Sequence, residues 1–523
     1  MKTVAKKTLP IEAELRLAGE PNVLKGVFAS SQMALEAGRK DKIRNLESRY
    51  FDTPEQDLRA CGLAFRVRTD GDGHCQTLKA GDDAQAALTR RGEWEMALED
   101  DRPRPEALPK AARKRMPKSV WKGGLEQAFK TRVRRQMREV VVSDADGRVA
   151  RIEAALDLGA IETRAGGLPI AEIEFELLEG PPETLYRLAL ELQEIGPLHL
   201  ETRSKSTRAF DRLADQPPGW RCATTPEIGP ADSVDDAMAT IFESCFAHWL
   251  ANQAAVVDGR DPEGVHQMRV ALRRLRSAVS VFRKLIPPDQ YIWLQEEAKR
   301  VIGALGPARD WDVFQGDLLA PVIEARPEDP DLIALSKRAR GRQRAGYRRA
   351  RNYLESPDYT RFVLRFGQWL EQRAWRKAEH AGRVSGQARP VVDFARQLLN
   401  RRRKRTLAKG RNFAELTTEQ RHELRLVLKK LRYAIAFFRT AFDGKTVKPF
   451  LHSVKTLQDG LGHLNDVAVA EALLADLIAR PGKDDVKAAA GLIIGWHARG
   501  VAMIEPELCR DWEAFQAEPV FWR

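Results

Sequence analysis

The chain has 523 residues, 43% of them hydrophobic and 31% charged, with a formal net charge of +13. That length exceeds what a single hydrophobic core organises, so two or three domains are expected. No run reaches the roughly 18 apolar residues of a membrane span, and five scattered cysteines with no C-x-x-C pair argue against a disulfide framework or a zinc site.

The opening MKTVAKKTLP carries positive charge with no apolar stretch behind it, so no signal peptide is expected and a cytoplasmic location is the simplest reading. IEAELRL (11–17) then sets Glu12, Glu14 and Arg16 on alternate positions, the pattern of a strand with one apolar and one charged face. The same design returns in LAFRVRT with Arg66 and Arg68, in RGEWEMAL with Arg91, Glu93 and Glu95, and in AEIEFELL with Glu172, Glu174 and Glu176. Turn-forming DGDGH (70–74) and AGG (165–167) separate such segments, as in an antiparallel meander. One helix is predicted at 182–195, and another lies within 105–130, where PKAARKRMPKSV reads as a basic surface insertion. Several strands with charged faces suit an antiparallel barrel whose alternate residues point inward. Clustered carboxylates there need a cation between them, and hard oxygen ligands suit Mg²⁺ or Mn²⁺. Arginine faces suit an anion with many oxygens, so phosphoryl chemistry is the expected use.

These segments resemble, over roughly residues 8–212, the CYTH family, the triphosphate tunnel metalloenzymes. Glu12-Ala-Glu14-Leu-Arg16 stands at the family's E-x-E-x-K strand, with Arg in place of Lys. YFDTPEQDLRACGLAFRVR, TLKAG, RGEWEMAL, ALDLG, AEIEFEL and SKSTRAF follow in order. The resemblance implies an eight-stranded antiparallel β-barrel tunnel that acts on triphosphates with a divalent metal. It implies metal ligands at Glu12, Glu14, Asp157, Glu172, Glu174 and Glu176. Arg16, Arg66, Arg68, Lys79, Arg91, Glu93, Arg135, Lys205 and Arg208 would form the substrate site, with Glu12, Glu14, Lys79 and Lys205 at the chemistry. In KTRVRRQ, Arg132 and Arg134 share one strand face and Arg135 takes the other; Arg135 is the one expected to face inward.

DQPPGWRCATTPEIGP (215–230) reads as a linker. Residues up to 215 hold 37 Lys/Arg against 36 Asp/Glu, and the remainder 50 against 38, so nearly all the basic excess lies beyond it. There the periodicity becomes helical and repeats. HQMRVALRRLRSAVSVFR (266–283) matches HELRLVLKKLRYAIAFFR (422–439) at eight of eighteen positions, and LGPARD (305–310) matches LGHLND (461–466) at the same offset of 156. At 100° per residue, His266, Arg269, Arg273 and Arg276 form a stripe flanked by Arg274, beside an apolar face. The second copy repeats it with His422, Arg425, Lys429 and Arg432, flanked by Lys430. Stripes with almost no acids suggest a polyanion surface. This region resembles, over roughly 232–515, the CHAD domain, a duplicated all-α helical bundle, which implies that these ten residues bind inorganic polyphosphate.

The reading is therefore a β-barrel tunnel domain at 1–214, a linker at 215–230 and a helical polyphosphate-binding domain at 231–523. Hydrolysis of inorganic triphosphate to pyrophosphate and phosphate is the expected activity, with polyphosphate granules as a place where the protein could gather. The alternatives are a CYTH enzyme acting on thiamine triphosphate, nucleoside triphosphate or by adenylate cyclisation, and a non-catalytic polyphosphate-binding protein. Nucleic acid is the lesser partner, because the aromatics fall at core spacing with no stacking platform.

Overall fold

Strict alternation in the first 200 residues becomes an antiparallel sheet in a computed structural model, which describes residues 11–34, 40–71, 73–81, 89–143, 147–376, 388–479 and 486–523. Its strands are β1 (Ile11–Ala18), β2 (Lys42–Asp52), β3 (Leu63–Asp70), β4 (Gly73–Ala80), β5 (Thr89–Leu98), β6 (Glu126–Ser143), β7 (Val149–Thr163), β8 (Gly166–Glu179) and β9 (His199–Leu200). They are ordered β5-β4-β3-β2-β6-β7-β8-β1-β9, and β1 also pairs with β5 from Ile11↔Gly92 to Glu14↔Thr89. Eight strands are expected from the sequence. The ninth is a two-residue pairing of Leu200 with Leu17 and His199 with Ala18, too short to show as alternation.

Period two sends Leu15, Leu17, Phe65, Val67, Leu78, Ile173 and Phe175 to one face, where all are buried. The segment expected to be a basic surface insertion helps cover that face. Leu108, Ala112, Met116 and Val120 pack on Phe65, Val67 and Leu78, and only its Lys and Arg residues mark it as surface. Burying this apolar face fixes the register, because a one-residue slip would expose it and bury the charges.

Two compact units divide the chain, the first formed by residues 1–218 together with Leu354–Gln372, the second by Gly219–Tyr353 and Arg373–Arg523. The Pro357–Glu371 helix thus belongs with the first unit, packed on the Glu183–Gln193 helix, although it lies far along the helical sequence. Gly367 makes this approach possible, since a Cβ there would lie 2.3 Å from the Tyr186 ring. Gly367→Ala is expected to cost about 1–3 kcal/mol through overpacking, read as a lower calorimetric melting temperature.

The second unit is helical. The repeated segments form the Pro262–Val281 and Thr418–Phe438 helices, which pack on each other with Leu272, Leu275, Leu428 and Leu431 fully buried. The 215–230 segment is irregular yet fastened, with Ile228 buried and its N–H donated to Thr440. Among the described residues, no helix is long and apolar enough to cross a membrane.

Candidate functional site

The other face of the sheet is charged, and cross-strand register decides who meets whom. Asp157 lies opposite Arg135 and Glu172, while Arg16 lies opposite Glu174. The Lys205–Ala214 helix, capped by Ser204 accepting from the Thr207 N–H, brings Lys205 and Arg208 onto the same groups. Lys205 Nζ sits 2.8 Å from Asp157, 2.5 Å from Glu172 and 2.7 Å from Glu174. Arg135 forks onto Asp157 at 2.7 and 2.6 Å and also binds Glu174, and Arg208 reaches Glu172 at 2.5 Å. Burial pushes the Glu174 carboxyl up, but Lys205, Arg135 and Arg16 outweigh it and hold the group well below its usual range. Arg132, by contrast, points outward to Glu47 and Glu162.

A second group lies along β3, β4 and β5. Lys79 Nζ is 2.5 Å from Glu93, and Arg66 is 3.6 Å from Glu93 and 3.9 Å from Glu95. Glu93, expected in the substrate site, is therefore the acid that spaces two cations, since a carboxylate repels an anion. Arg68 has little compensation: Arg66, burial and Arg135 push its guanidinium down to about 10. Arg16, also expected to hold substrate, is buried and spent on Glu14 at 3.3 Å and on the carbonyls of Arg203 and Thr202. The longer guanidinium arm reaches those carbonyls, which an ammonium would not bind in this forked way. The side chains of Glu12 and Arg91 lie outside the described residues, though their backbones pair across β1 and β5.

The expected metal ligands fall into two sets. Oxygens of Asp157, Glu172 and Glu174 lie within 4.8 Å of one another. The Lys205 ammonium already stands among them, and with Arg135 and Arg208 it balances three carboxylates with three cations. Asp157 and Glu172, expected as ligands, are thus ion-pair partners of this cluster. Glu14 and Glu153 instead lie directly opposite Glu176 on its two neighbouring strands. Like charges so placed repel. Burial first, then Glu153, Glu14 and Glu93, push the Glu176 carboxyl up, opposed by Lys79. This row offers hard oxygen donors with excess negative charge, the chemistry that suits a divalent ion, whereas Asp157, Glu172 and Glu174 are the described acids whose oxygens already lie within 4.8 Å of one another. Glu153 was not anticipated; its signal is parity, four residues before Asp157 in RIEAALDLG.

In the second unit, a cleft of about 350 Å³ is lined by His266, Arg269 and Arg273 from one repeat and His422, Arg425 and Lys429 from the other, with Arg309 and Asp310 beside them. Duplication is visible in detail. A Cβ on Gly306 would lie 3.2 Å from Arg269, and one on Gly462 would lie 4.0 Å from Arg425, each at the 156-residue offset. The Pro288–Val313 helix passes into a π-helical turn, Phe314–Leu319, whose Leu318 reaches the cleft. Burial, then Arg273 and Arg309, push Arg269 down to about 10 against the pull of Asp310. The His266 imidazole is likewise held down, by burial and then Arg309, Arg273 and Arg269, with Glu263 opposing.

Four expected polyphosphate residues lie outside this lining. Arg274 turns inward, buried and bonded to His248 at 3.3 Å and to Thr224 and Ser244, because a flanking position on the helix points toward the core. Arg276, two residues farther, donates to Gln295 at 2.9 Å, and Arg432 stacks on Tyr433. Lys430 stands near Arg402, Arg405 and Arg276 instead.

Comparison with known proteins gives two family matches, a CYTH domain over residues 24–210 and a CHAD domain over 240–475. Two uncharacterized proteins from Mycobacterium tuberculosis strains are each 27% identical over 321 residues, covering 59% of this chain and 57% of theirs, so the chain spans little more than half the length of these curated relatives. The crystal structure of the CHAD domain from the plant Ricinus communis aligns at 27% identity with a TM-score of 0.50, covering 57% of this chain and 97% of that one. A Hippeastrum protein described as an adenylyl cyclase with a dominant triphosphatase activity aligns at 18% identity over 39% of this chain and 96% of that one, with a TM-score of 0.27, too remote to carry an argument. The charged antiparallel sheet and the duplicated basic helices are accordingly a CYTH domain followed by a CHAD domain.

Proposed function

We propose that this chain hydrolyses inorganic triphosphate to pyrophosphate and phosphate in its CYTH domain and binds inorganic polyphosphate in its CHAD domain. The observation that carries the first part is the opposition, on one sheet face, of the cations Arg66, Arg68 and Lys79, of which Arg68 has little compensation, to the Glu14–Glu176–Glu153 row. The pairing of β1 with both β8 and β5 supports reading that face as the inside of an eight-stranded tunnel, with β9 as an addition. Mg²⁺ or Mn²⁺ held by Glu14, Glu176 and Glu153, with Glu174 at the edge of the row, would supply Lewis-acid polarisation of a phosphoryl oxygen. The chain's own task is to seat the anion. Arg68 and Arg66 take phosphoryl oxygens, and Lys79 adds a point charge tethered by Glu93. As water adds to the terminal phosphorus and its anhydride bond breaks, negative charge grows on the departing pyrophosphate oxygen. Fixed guanidinium groups meet that charge without reorganising. The test is phosphate release from tripolyphosphate by the full-length protein, with Mg²⁺ or Mn²⁺ and with EDTA, beside Glu14→Gln/Glu176→Gln. Metal-dependent release that the variant lacks supports the reading. No release from folded protein overturns it and leaves another triphosphate or a binding role; ATP and thiamine triphosphate are the competing substrates.

For the helical domain, the carrying observation is a cleft in which, among the described residues, five cations and two histidines face one carboxylate. A chain with about one negative charge per phosphate fits it, and DNA as a competitor tests the choice of polyanion. A bound polyanion would reverse the arginine field that holds His266 down, so the complex takes up a proton. Polyphosphate affinity is therefore expected to rise as pH falls from about 8 to 6, and His266→Gln to flatten that rise, as read by calorimetry.

A further inference from the structure

We propose that two hydroxyls of β2 serve the bound triphosphate beside the paired β3 arginines, Ser48 by aiming Arg68 and Tyr50 by donating its own proton to a phosphoryl oxygen. The inference rests on the triphosphate reading above for its ligand. Its geometry is independent of that reading. Tyr50 lies directly opposite Arg66 and Ser48 directly opposite Arg68 in the β2–β3 register, so both hydroxyls share the arginines' face. Arg68 Nε donates to Ser48 Oγ at 3.4 Å, and Tyr50 stands across the β2–β3 pairing from Arg66. A guanidinium is a rigid fork on a flexible stem, so holding one edge directs the other. With Ser48 on its Nε edge, the remaining N–H groups of Arg68 have a set direction.

Tyr50 is itself immobile. Its ring stacks on Phe129 at 4.5 Å and 15°, Phe129 meets Phe210 edge-on at 5.2 Å, and the residue is 7% exposed. Its hydroxyl carries one proton to donate. The charged groups that act most strongly on that hydroxyl among the described residues are Arg66, Arg68 and Lys205, all cations, an environment that draws an anion to it. Triphosphate oxygens seated among those cations are the acceptors that the proposal names.

A merely structural tyrosine would affect folding and leave anion affinity alone, which gives the test. Tripolyphosphate binding in EDTA is measured by calorimetry in a full-length Arg269→Gln/Arg425→Gln background, which removes the helical cleft's contribution. Tyr50→Phe keeps the ring stack and loses only the hydroxyl; it is expected to weaken binding about tenfold, and Ser48→Ala about threefold. With metal, KM should rise by a similar factor while kcat stays within about twofold, since the hydroxyls act on seating rather than bond breaking. Binding by both variants within about twofold of the parent overturns the proposal, as does a parent that binds no tripolyphosphate. A parent that binds with this Tyr50 dependence yet releases no phosphate overturns the hydrolysis reading and leaves the hydroxyl assignment standing.

Discussion

Lys205→Met is expected to abolish tripolyphosphate hydrolysis and to destabilise the CYTH domain by about 3–5 kcal/mol, the range for removing one partner from a buried charge cluster. Asp157 and Glu172 are wholly buried, and both are ion-paired with the one ammonium that also holds Glu174. Methionine keeps most of the volume and removes the charge. Arg135 and Arg208 cannot fill the gap, because their guanidinium groups are already committed to the same carboxylates. Adding Glu172→Gln to Lys205→Met removes one uncompensated charge. It should recover part of the lost melting temperature and none of the activity, which separates the two roles of the lysine. Acid titration gives a further check. Because the folded Glu174 pKa is depressed, its contribution is present above the unfolded value of 4.5 and is lost as pH falls through the folded value. Wild-type stability should therefore drop on acidification below about pH 4.5, and Lys205→Met should show a shallower drop. Equal acid profiles for the two proteins would remove Lys205 from the centre of the cluster.

Arg269→Gln/Arg425→Gln is expected to weaken polyphosphate binding on the order of a hundredfold at low salt and to reduce the slope of log affinity against log salt by about two, one for each lost phosphate contact. Both arginines line the cleft at equivalent positions of the two repeats. Arg269 is held down to about 10 by burial and by Arg273 and Arg309, so the protein bears like-charge repulsion there without an anion. Removing that charge should leave the melting temperature unchanged or raise it. Lower affinity with equal or greater stability marks a surface built for binding, since a structural salt bridge would show the opposite pattern. An unchanged salt slope would place the polyanion elsewhere, with the Lys430, Arg402 and Arg405 group as the alternative. Arg274 offers an internal contrast: bonded to His248, Thr224 and Ser244, Arg274→Gln should cost stability and leave the salt slope alone.

Much of this arrangement was legible in the sequence because it rests on local periods. Alternation placed Arg66, Arg68, Glu172, Glu174 and Glu176 on charged strand faces, and the KTRVRRQ parity separated Arg135 from Arg132. The 156-residue offset exposed the duplication, and the stripe positions 266, 269 and 273 meet 422, 425 and 429 in one cleft. Flanking positions were less legible. Arg274 lies only a step from the stripe, and a helical wheel does not say where a neighbouring helix buries it. Glu153 was not legible, because parity places it on one face with Asp157 but does not set it opposite Glu176.

By itself the sequence determined a β half and a basic, duplicated helical half, and which residues of each strand and helix share a face. Those properties follow from repeat distances of two and 3.6 residues along a single element. Only the tertiary structure decided that Lys205 stands among Asp157, Glu172 and Glu174, that Arg16 turns to the carbonyls of Thr202 and Arg203, and that the Pro357–Glu371 helix completes the first unit. Each of these depends on cross-strand register, or on a close approach between segments many residues apart, such as Gly367 against Tyr186. A buried cation chooses its carboxylates by distance in space, and no period along the chain encodes that distance.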